Sequence, residues 1–552
     1  MMSVRTTIGS IIGLSTPYEF TFAVKPGGVH LHDFVAIDVQ ESSAEPVKRC
    51  WAKVIKLERF NPLLPREAGH EIASMGIEAV ETIVSLSREF VTAQGQILGI
   101  DEEGNVSPLT YPVKPASSVY IPQDDEVQRL LIGNVEDHRR IKVGNLRGRN
   151  IEAVLDAHYL VSRHLAIFAM TGAGKSWTCR KILEMLMEKQ YPIIIFDPHG
   201  DYAGMKKTEG YADKVEIYFP VIHFESWDVE DITKLVENLS GSKFTEAQEP
   251  IFVDAYNFVV KNEKTCDKLR AQYKKDFGVE LYRKSKAGYY NIFSVIKFLE
   301  AVINIKNEGM EENYSDFGID SIINAQQRSI FSIIRKCTKM GGNLQTVQAM
   351  NKMIAKQYGV DLQTIPEDLS TLVQKGKVSI ISLSGYSELI QSAILSQVLE
   401  NLLQAKVKGE ITLPFLSVIE EAHNFAPSTS EGISESYASL DTLKKIATEG
   451  RKFGMGLILI SQRPSRLHPT VSSQCNSFIV LRIVNPADQK YIRDIIETMG
   501  EHDVELLPEL AIGEALITGQ ITRFPILARI DPPKSQGTRE EKDLIKTVMD
   551  ST

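Results

Sequence analysis

The chain has 552 residues, 43% of them hydrophobic and 24% charged, with a net charge of −9. That length holds about three to four domains of roughly 150 residues each, and the composition is that of a soluble globular protein. The acidic balance excludes a molecule coated in positive charge, but not nucleic acid held in a local basic channel.

The N-terminus, MMSVRTTIGSIIGLSTPYEF, lacks the apolar core and cleavage site of a signal peptide. No apolar run reaches the ~18 residues of a membrane span. Cys50, Cys179, Cys266, Cys337 and Cys475 are scattered without a CxxC pair. They read as reduced thiols, which with the rest predicts a cytoplasmic protein without a membrane role.

Residues 1–110 are β-rich. Phe20–Val24, Phe34–Asp38 and Ala52–Lys56 are short runs broken by Pro and Gly, which predicts a small barrel or sandwich. Helix-like patterning over 66–90 interrupts them, and 111–145 reads as a looser connection. An α/β core begins at 146 and its first part runs to 227. Residues 228–372 are mostly helical, rich in Lys, Glu and Asn, and read as an insertion. The second part of the core spans 373–530, and 531–552 is a polar tail. Core strands are expected at Leu165–Phe168, Pro192–Asp197, Val378–Leu383, Phe415–Ile419, Gly456–Ile460 and Phe478–Leu481. Continuously apolar strands alternating with helices predict a parallel sheet buried on both faces. A final β-like piece covers Glu514–Thr518 and Arg523–Ile530.

The chemistry is concentrated in a few stretches. Residues 166–178, AIFAMTGAGKSWT, follow the strand–loop–helix layout of a phosphate-binding loop. Thr171, Gly172, Ala173, Gly174, Lys175, Ser176 and Trp177 are the candidate nucleotide-binding residues. Backbone N–H groups and the helix N-terminus would meet the phosphates of ATP. Lys175 would reach the β/γ-phosphates and the Ser176 hydroxyl would ligate Mg²⁺. Ala169 stands where the general pattern has Gly, and Ala does not take φ > 0 cheaply.

Four further stretches end or flank core strands. Glu420 and Glu421 close the 415–419 strand; Glu420 is assigned to the metal and Glu421 to polarising the attacking water. Gln462, in Ser461-Gln-Arg463, reads as a γ-phosphate sensor at a strand tip, or as a plain turn before Pro464. Asp197, in Asp197-Pro-His-Gly-Asp-Tyr202, reads as a residue orienting water or metal, or as a turn-forming Asp-Pro. His199 is similarly open. Arg451, in Glu449-Gly-Arg-Lys-Phe-Gly454, reads as an arginine finger for a neighbouring subunit, or as a basic surface turn.

Together these pieces resemble the HerA–FtsK superfamily of ring-forming DNA motor ATPases, and HerA most closely. Ile141–Leu146, Arg147–Val154 and Arg163–Ile167 complete the resemblance ahead of the phosphate loop. It covers about 140–230 and 375–530, and the N-terminal β region looks like the family's HAS barrel. The resemblance implies a RecA-like P-loop ATPase core with a helical insertion and an N-terminal small β-barrel. It implies a homohexamer with ATP sites at subunit interfaces and duplex DNA in the central channel. It further implies a partner: a NurA-like nuclease for end processing, or a sirtuin-type or other effector in anti-phage defence. Residue by residue, Lys175, Asp197, Glu421 and Gln462 match motif positions acting within a subunit. Arg451 matches the trans-acting arginine, and Arg163 a functionally placed basic residue.

The leading expectation is therefore an ATP-hydrolysing DNA translocase or helicase. The alternative is a DNA-stimulated ATPase scaffold that assembles and activates an effector. With a net charge of −9, DNA affinity must come from a few focused cations. Candidates are Lys206 with Lys207, and Arg463 with Arg466, in loops after strand ends.

Overall fold

The computed structural model describes residues 6–25, 27–40, 46–60, 90–102, 105–220, 229–281, 292–366, 368–428 and 438–538. They form two compact units. The first comprises Met1–Lys189, Gln462–Ser465 and Cys475–Pro533; the second comprises Gln190–Ser461, Arg466–Gln474 and Lys534–Thr552.

The first unit begins with strands β1 (Thr6–Ser15), β2 (Glu19–Val24), β3 (Phe34–Val39), β4 (Lys48–Phe60), β5 (Phe90–Glu102), β6 (Asn105–Ser107) and β7 (Ser118–Ile121). Their order is β2-β1-β7-β3-β4-β5, and a β2–β5 pairing closes the ring into a barrel, with β6 appended to β5. Alternation builds it: Phe20, Phe22 and Val24 point inward from β2 and meet Val35, Ile37, Ala52 and Val119. The barrel needs β7, which lies within the segment expected to be a loose connection. Four residues are too few for periodicity to announce a strand. The same segment also holds helix α1 (Asp124–Ile132). The helix-like patterning expected over 66–90 falls almost wholly on 61–89, outside the described residues. The barrel is tied to the rest of its unit by Lys53, whose buried ammonium lies 3.2 Å from Asp503.

Beyond the barrel the chain continues through β8 (Arg140–Leu146), β9 (Glu152–Asp156), α2 (Ala157–Ser162), β10 (Leu165–Phe168), α3 (Lys175–Glu188), β11 (Ile193–Asp197) and β12 (Val215–Phe219). A helical stretch follows, with α4 (Val229–Ser240), α5 (Glu249–Tyr256), α6 (Glu263–Phe277), α7 (Ile292–Asn307), α8 (Asp320–Ile323) and α9 (Gln327–Tyr358). It is the insertion expected from the sequence. Then come β13 (Gln363–Thr364), β14 (Val378–Ser382), α10 (Glu388–Lys408), β15 (Phe415–Ile419), α11 (Ala422–Phe425), α12 (Ala438–Glu449), β16 (Met455–Ser461), β17 (Ser477–Val480), β18 (Glu514–Gly519) and β19 (Ile526–Ile530).

In the second unit the strand order is β13-β12-β14-β11-β15-β16, parallel throughout. Every residue of β11, β14, β15 and β16 is buried, as expected for strands covered on both faces. In the first unit the order is β10-β17-β18-β19-β8-β9. Only β10 and β17 are parallel there; the remaining pairs are antiparallel. The turns between β8 and β9 and between β18 and β19 are too short for a crossover, so they join antiparallel neighbours. The architecture is the RecA-like P-loop core with a separate β-barrel that the sequence led us to expect.

Register decides what shares an edge. On β11 and β15, Phe196 lies beside Ile419, so the next residues out are Asp197 and Glu420. On β15 and β16, Ile419 lies beside Leu459, which brings Glu421 level with Ser461 two residues on.

Candidate active site

The phosphate loop grows from β10, whose four residues are all buried. The strand's exit is held by backbone: Leu481 N–H donates to Phe168 O at 2.8 Å, and Met170 N–H donates to Arg482 O at 3.0 Å. Left-handed conformation is demanded at Gly172 (φ 79°) and Gly174 (φ 100°), not at Ala169. A small buried side chain is thus compatible with the loop at 169. Gly174 is also the N-cap of α3 and carries no side-chain cap. A helix start without a side-chain cap is the arrangement that suits a phosphate.

Side chains complete the loop. Lys175 is buried at the first position of α3. The Thr171 hydroxyl donates to Gln462 Oε1 at 2.5 Å, so the structure joins the strand-tip glutamine to the loop. Trp177 hydrogen-bonds through its indole N–H to Asp531 O at 3.3 Å, while its ring stays 43% exposed.

The acidic residues belong to the second unit. Asp197 accepts backbone N–H bonds from Gly200 (2.7 Å), Asp201 (3.1 Å) and Tyr202 (3.0 Å). Burial pushes its carboxyl up to about 6, and the three N–H groups pull the other way. Of the two readings of Asp197, the structure displays the turn-building one. The turn it builds has two products. Tyr202, fully buried, donates its hydroxyl to Glu420 Oε2 at 2.8 Å. His199, half exposed, brings Nε2 to 4.0 Å from Glu421 Oε1.

Glu420 is completely buried and Glu421 is 3% exposed. Glu421 adopts φ 51°, ψ 47°, the left-handed region, as the N-cap of α11. A non-glycine residue there stores strain of about 1–3 kcal/mol, a cost that tends to persist at functional positions. Its Oε2 lies 3.5 Å from His423 Nδ1, and that nitrogen is 3.1 Å from Ser461 Oγ.

A family model described as the central domain of helicase HerA matches residues 141–402. A probable DNA double-strand break repair helicase HerA of Methanocaldococcus jannaschii is 30% identical over 482 residues, which is 84% of this chain and 89% of that protein. The chain belongs to the HerA family. A second protein of the same organism, the probable helicase MJECL08, is 30% identical over 499 residues, 87% of either chain. The DNA double-strand break repair helicase HerA of Pyrococcus furiosus is 29% identical over 476 residues, covering 80% of this chain and 78% of that one.

Three groups of basic residues in this HerA-family chain remain. Arg451 is exposed in the turn after α12. Glycine at 450 is required there, because a Cβ would come within 2.9 Å of Ile446 Cγ2. Arg163 lies at the start of β10, the opposite end from the phosphate loop, with its guanidinium 6.0 Å from the Tyr159 ring centre. That placement separates Arg163 from its own phosphate loop by the length of the strand. Lys206 and Lys207, candidates for DNA contact, each have a neighbour within their unit. Lys206 pairs with Glu216 at 3.3 Å, and the Lys207 ammonium sits 5.0 Å from the Tyr358 ring centre.

Among the described residues no three His, Cys, Asp or Glu side chains converge as a metal site. Among the described residues no helix is long and apolar enough to cross a membrane, and all five cysteines are buried and unbridged.

The sequence reading assigned no role to Tyr202, His423 or Ser461 and left His199 open. Their signal was present in the spelling of the strand ends: Asp-Pro-His-Gly-Asp-Tyr and Glu-Glu-Ala-His set each polar side chain at a fixed offset from a buried acid.

Proposed function

We propose that this HerA-family chain is an ATP-hydrolysing DNA translocase or helicase. The observation that carries the reading is the uncapped, glycine-bent loop at the head of α3, in a chain whose parallel strands also end in two buried glutamates. Lys175 compensates charge on the phosphates, and backbone N–H groups of 172–176 orient them. Ser176 and Glu420 are hard oxygen donors and would hold Mg²⁺, which supplies Lewis-acid neutralisation of the phosphate oxygens when bound. Glu421 takes the proton of the attacking water. Gln462, held by Thr171, senses the γ-phosphate.

The relatives' printed names support DNA double-strand break repair as the setting. The chain works as a homohexamer around duplex DNA, with Arg451, and by the same logic Arg163, completing a neighbour's site. A partner nuclease or effector acts beside it. Both arginines fit a role in trans: Arg451 is exposed, and Arg163 is remote from its own loop.

The test is ATP-driven removal of streptavidin from biotinylated duplex DNA, run beside strand displacement, with the isolated full-length protein. Translocation is expected in the wild type and none in Lys175→Ala. ATP hydrolysis stimulated by DNA without either movement would overturn the motor reading in favour of an effector-activating scaffold.

A further inference from the structure

Glu421 is held from two sides, and the two contacts differ in kind. On one side stands His199, half exposed and 4.0 Å away, on a turn shaped by Asp197. On the other stands His423, only 14% exposed in its side chain, at 3.5 Å. His423 Nδ1 is shared: it also meets Ser461 Oγ, the last residue of β16, at 3.1 Å. At 3.5 Å the Nδ1 is in ion-pairing range of the carboxylate but makes no hydrogen bond with Oε2. The imidazole thus stands against the carboxylate on one side and is hydrogen-bonded to the Ser461 hydroxyl on the other.

We propose that His423 is a positioning residue for Glu421, standing between its Oε2 and the end of β16. The inference rests on the reading of Glu421 as the base. Three observations lead to it. First, Glu421 is in a left-handed conformation that its own backbone disfavours, so something outside the residue must hold it. Second, the β15–β16 register sets Ile419 beside Leu459, so the strand ends that lead to Glu421 and to Ser461 leave the sheet side by side. Third, Ser461 is the immediate neighbour of Gln462, whose side chain is bound to Thr171 of the phosphate loop. His423 therefore stands between the base and the residue next to the sensor.

The test compares full-length variants by equilibrium binding of a fluorescent ATP analogue and by steady-state phosphate release. His423→Ala is expected to lower kcat about 10- to 100-fold, the usual effect of losing a group that orients a reactive one, with analogue affinity unchanged. His423→Asn places an amide nitrogen where Nδ1 stood and is expected to recover most of kcat. His423→Gln places it where Nε2 stood and is expected to stay low. Ser461→Ala should fall between. On a Glu421→Gln background, His423→Ala should cause no further loss, because the group it positions is already gone.

A His423→Ala enzyme with wild-type kcat overturns the proposal. So does equal failure of the Asn and Gln variants accompanied by a lowered melting temperature, which marks a packing role. Wild-type phosphate release by Glu421→Gln alone is a different outcome: it removes the base assignment itself, whatever His423 does.

Discussion

The phosphate loop of the first unit and the acid cluster of the second meet the same requirement, holding charge still, by opposite means. The loop is made of backbone. Its shape comes from Gly172 and Gly174, its grip from N–H groups at an uncapped helix end, and its components span fewer than ten residues. The acid cluster is made of side chains drawn from three strand ends. Tyr202 reaches Glu420 across 218 positions of sequence, and Ser461 reaches His423 across 38. A backbone site tolerates side-chain change wherever the dihedral angles permit it, as Ala169 illustrates. A side-chain site tolerates almost none, because each group is another's partner.

The sharpest break of that contrast is at its two reactive side chains. Lys175→Ala removes the one charged side chain of the loop, and Glu421→Gln removes the proposed base. Each is expected to lower phosphate release by about a thousandfold or more. The two differ in binding: Glu421→Gln should keep nucleotide affinity while Lys175→Ala loses it. Phosphate release near the wild-type rate in either variant would undo its assignment.

Smaller is the effect of Tyr202→Phe, which deletes a hydrogen bond to a fully buried carboxylate and should cost about 1–3 kcal/mol. Both the melting temperature and kcat are expected to drop, since the tyrosine joins the Asp197 turn to the acid strand. A variant unchanged in both would show that the turn and the strand are held independently.

Gly174→Ala tests the backbone side. A Cβ there would meet Gly513 N at 3.6 Å, an ordinary contact, so the penalty is conformational, about 1–2 kcal/mol from φ 100°. The expected readout is an approximately tenfold weaker nucleotide Kd with little change in melting temperature. A large stability loss with intact affinity would mean the loop's shape is not what binds phosphate.

The smallest effect concerns the barrel. His32, at φ 70°, has both ring nitrogens buried without a hydrogen-bond partner. Burial first, then the Lys53 ammonium, lowers its pKa from 6.5 to about 4. The folded state therefore keeps the imidazole neutral while the unfolded chain takes up a proton near 6.5. This contribution to stability is whole above pH 6.5 and is lost as pH falls toward 4. His32→Gln should flatten the decline in melting temperature between pH 7 and pH 5. An unaltered slope would place the acid sensitivity elsewhere.

These contrasts explain what was legible in advance. The phosphate loop, the strand ends bearing Glu420, Glu421 and Gln462, and the helical insertion could all be read from the chain, because each is a local pattern. β7 could not: its Ser-Val-Tyr-Ile is too short to show a period, and it became a strand only because β1 and β3 offered it edges. Nor could the antiparallel run from β17 to β9, whose directions are set by pairing between strands rather than by the residues of any one of them.

Lys206 and Lys207 teach the complementary point. As sequence they were two cations after a strand end, suited to a phosphate backbone; in the fold, Glu216 and Tyr358 occupy them. Charge is a property of a residue, whereas availability is a property of its neighbours.

The sequence by itself determined the chemistry: a lysine and glycines in phosphate-loop spacing, acids after a buried strand, an arginine between glycines. Those are facts of residue type and short separation, set by what one turn or one strand allows. Only the tertiary structure decided the partnerships, Tyr202 with Glu420, His423 with Glu421 and Ser461, and Arg163 at the far end of its strand from the loop. The reason is register. Parallel strands separated by scores of residues come level at their carboxyl ends only when their apolar cores align, and nothing in a single strand records which residue of another will stand beside it.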